Sequence, residues 1–161
     1  HERVLRMCTL MQRVQTHVAE HGADAQARDG ATSVLRYFNE AAPRHHADEE
    51  EDLFPRLLQR LEGDARDTAA QTIEQLHNEH AQFEHDWASL SIALGALARG
   101  ESTVLDAARV DSYSARYRQH IALEEGVLAP ALQLALTTAD WREIGAIMAR
   151  RRGVGNSFHS T

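Results

Sequence analysis

Two eleven-residue stretches of this chain carry the same ligand-type side chains at the same spacing. From His45 to Pro55 the sequence reads H-H-A-D-E-E-E-D-L-F-P, and from His120 to Pro130 it reads H-I-A-L-E-E-G-V-L-A-P. Both contain H-x-A-x-E-E-x-x-L-x-P, with one copy in each half of the chain. Four residues along an α-helix turn about 400°, so His45 and Glu49 share a face, as do His120 and Glu124. Each helix then offers an imidazole and a carboxylate to one point. Carboxylates can bridge two cations while neutral imidazoles complete each shell, and a helix bundle can converge such pairs on its axis. The blander alternative is an exposed ion pair on a helix face, which is common and weak. It leaves the recurrence of the flanking L-x-P unexplained.

The chain has ten histidines, and two more of them fall on inward stripes. His1 is in step with Leu5 and Cys8, and His80 occupies a core position between Leu76 and Phe83. A bare imidazole in such a seam is costly unless partnered, and a metal ion is one partner. The inward set is therefore His1, His45, His80, His120, Glu49 and Glu124. His77, Glu84, Tyr113 and Tyr117 lie near the seam as candidates for an added ligand, although the tyrosines equally suit packing with a satisfied hydroxyl. His46 is about 100° around the helix from His45 and is assigned to the rim. His17 and His21 fall on the far side of the first helix, and His85 and His159 belong to no pattern. The acidic run Asp48 to Asp52 reads as a solvated face from which helical phase singles out Glu49. Arg150, Arg151 and Arg152 suit the C-terminal end of a last helix.

The elements that must position these groups read as helices throughout, with apolar residues at three- and four-residue spacing and no period-two alternation. A first helix carries Val4, Leu5, Cys8, Met11, Val14 and Val18 and stops at Gly22. A second runs from about Asp24 to Leu61, with kinks expected at Pro43 and Pro55. A third, through Ile73, Leu76, His80, Phe83, Trp87, Leu90, Leu94 and Leu97, keeps a seven-residue rhythm and ends near Gly100. A fourth opens with Thr103 and Asp106 in capping-box spacing and continues through Val110, Tyr113, Tyr117, His120, Glu124, Val127 and Leu132. A short fifth helix starts at Asp140 and Glu143. Short connections favour an all-α, up-down-up-down antiparallel four-helix bundle with a short fifth C-terminal helix. One domain is expected over 1–152, followed by a loose tail over 153–161.

Composition narrows the function classes. With 161 residues the chain suits one domain, and its 17 basic and 24 acidic side chains leave a net charge of −7 with no basic cluster. That argues against nucleic acid as a partner. No apolar run approaches the roughly 20 residues of a membrane span. The single cysteine, Cys8, cannot close an intrachain disulfide and suits a small core position, so a reducing, cytoplasmic setting is expected. The chain opens at His1 without a methionine or a signal-like start, and residues upstream are expected.

A His near the start of helix one, H-x-x-x-E-E-x-x-L-F-P in helix two, E-H in helix three and H-x-x-x-E-E-x-x-L-x-P in helix four together resemble the hemerythrin-like (HHE cation-binding) family of bacterial type. The resemblance covers roughly His1 to Pro130. It implies a four-helix bundle with two iron ions, oxo- or hydroxo-bridged, held by His1, His45, Glu49, His80, His120 and Glu124, the two glutamates bridging. Manganese or zinc is also compatible with the donors, although the lack of a thiolate argues against structural zinc. Where the family's oxygen carriers have a second histidine in helix three, this chain has Leu76. They also place an Asp one residue further from the helix-four His than Glu124. Four histidines over two irons leave an open position on each. The resemblance thus implies binding of dioxygen, nitric oxide or peroxide for sensing, storage or stress response. The alternatives are an enzyme acting on peroxide or nitric oxide, and an iron storage or donor protein.

Overall fold

The computed structural model describes residues 1–153, so nearly all of the expected tail, with His159, lies outside the described residues. The fold is all-α, and no strand occurs among the described residues. Five helical stretches follow one another among the described residues. They are α1 (Glu2–His21); a composite of α2 (Ala25–Arg36), α3 (Ala42–Ala47) and α4 (Phe54–Arg60); α5 (Gly63–Ala98); a composite of α6 (Ala107–Leu123) and α7 (Ala129–Ala135); and α8 (Thr138–Arg151).

The two composites are joined internally by π-helical turns at Tyr37–Ala41, Asp48–Leu53 and Glu124–Leu128. Each of the chain's three prolines, Pro43, Pro55 and Pro130, is the second residue after one of these turns. Proline has no N–H and its ring crowds the carbonyl four residues back, so an ordinary α-turn fails there. A π turn pairs each carbonyl with a donor five residues on and widens the backbone at that point. Phe54 N–H donates to the Glu49 carbonyl and Ala129 N–H to the Glu124 carbonyl. At Pro43 and Pro55, where kinks are expected, the interruption takes the form of a π turn, and the third turn, before Pro130, has no counterpart in the sequence reading.

The chain divides into two compact units, one of His1–Pro43 with Asn78–Ala122, the other of Arg44–His77 with the residues from Leu123. In the first unit the α1 stripe Val4, Cys8, Met11, Val14 and Val18 is buried against Val34, Phe38, Leu90, Leu94, Val110, Tyr113 and Tyr117. Gly22 ends α1 at φ +72°, a conformation a side chain rarely adopts. A Cβ on Gly30 would stand 2.5 Å from Val14 Cγ2, so α1 and α2 approach each other through that missing side chain. In the second unit Phe54, Leu57, Ala69, Ile73, Leu76 and Leu128 form a separate core.

Two helix starts differ from expectation. The capping box of α8 is Thr137 with Asp140, three residues earlier than predicted. At α6, Asp106 is itself the cap, its Oδ1 accepting from Arg109 N–H at 3.2 Å. In both places an Asp fits either the cap or the third position of a helix, and spacing alone does not decide which.

α8 is fastened in the second unit by ion pairs. Asp140, 1% exposed, accepts from Arg56 at 2.7 Å, from Arg60 at 2.7 and 3.1 Å, and from the Thr137 hydroxyl at 2.7 Å. Arg151 donates to Glu51 and Asp52, both at 2.7 Å, and also to Asp48, which Arg152 joins. The acidic run is therefore only partly solvated: Glu51 is exposed, whereas Asp48 is 2% exposed and clamped by the arginines at the end of α8. Its bonds to Arg60 and Thr137 hold the Asp140 carboxyl well below the usual range. A carboxyl shifted down stabilises the fold above its ordinary pKa, and the effect fades as pH falls through the lowered value. Asp140→Ala is expected to lower the melting temperature by a few degrees at pH 7. The difference from wild type should shrink in acid, as calorimetry over a pH series will show.

Candidate metal centre

In the second unit, the last residues of α3 and the π turn that follows present His45 and Glu49 on one face, and the matching turn after α6 presents Glu124. His45 Nε2 lies 3.1 Å from Glu49 Oε1. One donor atom from each of His45, Glu49 and Glu124 lies within 4.8 Å of the others, so this group can hold a metal ion. Both glutamates are 5% exposed. Burial pushes the Glu49 carboxyl well above its ordinary range, and the Glu124 charge and its hydrogen bond to Glu49 push it further, with smaller contributions from Asp48 and Glu50. Two carboxylates sharing a dry site cannot both ionise cheaply without a cation. Two hard oxygen donors beside an imidazole, with no thiolate, fit iron or manganese.

In the first unit, α5 and α6 bring His80 and His120 together, at 3% and 2% exposed. Their Nε2 atoms are 3.1 Å apart. Cis nitrogens on an octahedral ion with bonds of about 2.1 Å lie about 3.0 Å apart, so the pair is spaced for one metal. His120 Nδ1 lies 2.7 Å from Glu79 Oε2. Around the pair is an aromatic wall. Phe83 meets the His120 ring edge-on at 5.2 Å and stacks on Tyr117 at 3.9 Å, and Tyr117 packs on Tyr113 at 5.2 Å. Burial pushes both tyrosine hydroxyls upward, and it pushes the Cys8 thiol up to about 11. These are inert, protonated core groups at neutral pH.

The donor chemistry in both units suits a metal ion. A profile of the Hemerythrin HHE cation binding domain matches residues 1–132. The chain belongs to this hemerythrin family. It is also 31% identical over 157 residues to a protein of Haemophilus influenzae (strain ATCC 51907 / DSM 11121 / KW20 / Rd) described as an uncharacterized protein, covering 96% of this chain and 86% of that one.

Of the six residues singled out from sequence, His45, Glu49 and Glu124 group in one unit and His80 and His120 in the other. His1 stands exposed at the head of α1, its carbonyl accepting from Leu5 N–H at 3.2 Å. Among the added candidates, His77 and Glu84 are exposed, while Tyr113 and Tyr117 belong to the aromatic core. The sequence reading missed His46. It is 7% exposed rather than on the rim, because the buried arc of α3 is centred nearer His46 than His45, whose side chain is 33% exposed. The H-H doublet was the available signal, and a strict single-stripe reading discards one of its members.

The Glu49 shift has a consequence for the metal-free protein. A carboxyl with a raised pKa binds a proton in the folded state that the unfolded chain has lost, so stability falls as pH rises from the ordinary carboxylate range through neutrality. Glu49→Gln should raise the melting temperature of the metal-free protein at pH 8 and flatten its pH dependence, while lowering metal affinity at least tenfold. Paired thermal unfolding and chelator competition will read both.

Proposed function

We propose that this protein binds two iron ions through His1, His45, Glu49, His80, His120 and Glu124 and uses them to take up dioxygen, or the related ligands nitric oxide or peroxide, in a cytoplasmic setting. The observation that carries the reading is the buried Glu49 and Glu124 pair beside His45, in a chain of the HHE cation-binding family. The two carboxylates act as bridging ligands and bring the negative charge that a pair of dications offsets. His80 and His120 supply nitrogens at cis spacing. Where the oxygen-carrier pattern has a further imidazole, this chain has Leu76, a residue fully buried in an apolar core.

Four imidazoles shared by two ions would leave room for a small ligand. Iron held by these residues would supply electrons reversibly to a small ligand. Phe83, Tyr117 and Tyr113 keep bulk water from His80 and His120, which favours reversible uptake over hydrolytic loss. Purified protein loaded with ferrous iron without air should bind two irons per chain. It should then develop a visible charge-transfer band on exposure to air that disappears on deoxygenation. His80→Ala and Glu124→Ala should each cut iron uptake at least tenfold and abolish the band. Irreversible bleaching, or a band indifferent to both substitutions, contradicts the proposal.

A further inference from the structure

We propose that Glu79 is a positioning residue for the metal centre, holding the His120 ring by Nδ1 so that Nε2 is presented as the donor atom. This rests on the dinuclear reading above. The geometry lies within one unit. Glu79 Oε2 is 2.7 Å from His120 Nδ1, and His120 Nε2 is 3.1 Å from His80 Nε2. A carboxylate only accepts, so Nδ1 carries the ring proton and Nε2 the lone pair. The opposite tautomer would aim an N–H at His80 and remove His120 as a ligand. Carboxylates behind ligating imidazoles fix ring orientation and raise donor strength. Phe83 meets the same ring edge-on at 5.2 Å, which limits its tilt and leaves Glu79 to set its rotation. Successive residues of α5 thus do two jobs: His80 ligates, and Glu79 orients the imidazole that α6 contributes.

Glu79 also reaches the surface. Its side chain is 32% exposed and lines a cleft of about 120 Å³ with Gln82, Phe83, Arg116 and Gln119. A small carboxylate can enter such a cleft, which makes chemical rescue possible. Ferrous-iron affinity by anaerobic chelator competition, and the melting temperature of metal-free protein, are measured for wild type, Glu79→Ala, Glu79→Gln and Glu79→Asp. Glu79→Ala should lose about 10–100-fold in affinity with little change in metal-free melting temperature. Glu79→Gln, which keeps an acceptor without the charge, and Glu79→Asp should lose less. Added formate should restore part of the affinity of Glu79→Ala and none of that of Glu79→Gln, whose side chain fills the space. Wild-type affinity in Glu79→Ala overturns the proposal and leaves the dinuclear reading standing, as does a loss matched by unfolding and insensitive to formate. A wild-type protein that binds no iron overturns both.

Discussion

The structure is organised around two glutamates, Glu49 and Glu124, buried together where water cannot screen them. Like charges brought side by side in a low-dielectric interior oppose folding unless a proton or a cation offsets them. The raised Glu49 carboxyl is the metal-free form of that conflict, and a bound cation would resolve it. The separate apolar cores of the two units let the helices form without metal, so they can tolerate this local cost. The arrangement trades stability for a preformed ligand set.

Backbone geometry explains why the repeat has its particular length. In both copies the glutamate lies at or next to the start of a π turn, the leucine ends the turn, and the proline follows two residues later. The glutamate's own carbonyl accepts from the N–H five residues on in each case. Proline makes the ordinary α-turn unfavourable at that point, and the extra residue in the π turn changes the helical phase beyond it. Glu49 and Phe54, five residues apart, are consequently both buried, which a uniform α-helix would place on different faces. The L-F-P after Glu49 is thus the device that lets this helix turn inward for a carboxylate and remain inward for the apolar core after it.

Helix periodicity carried most of the fold in the sequence itself, since the stripes of α1, α5 and α6 are buried as spaced, and Gly22 and Gly100 close their helices at positive φ. The ligand pairs were legible for the same reason, being repeated at i, i+4. What stayed hidden depends on contacts between segments far apart in sequence. Asp48 reads as one more residue in an acidic run until Arg151 and Arg152, about a hundred residues later, are seen to clamp it. Glu79 enters from sequence only as the E of the E-H element in helix three, without a role, because its partner His120 is on another helix. His46 fell to an assumption that only one of two adjacent positions can face inward. The π turns are invisible to a periodicity search, which assumes 3.6 residues per turn throughout.

Iron K-edge X-ray absorption on protein loaded to saturation and analysed for metal content separates a coupled iron pair from isolated ions. A pair of irons held by these residues gives two irons per chain, a first shell of nitrogen and oxygen without sulfur, and a second iron as a scatterer at about 3.5–4 Å or closer if a single oxygen bridges the pair. One iron per chain with no iron neighbour, or a sulfur shell, would contradict it.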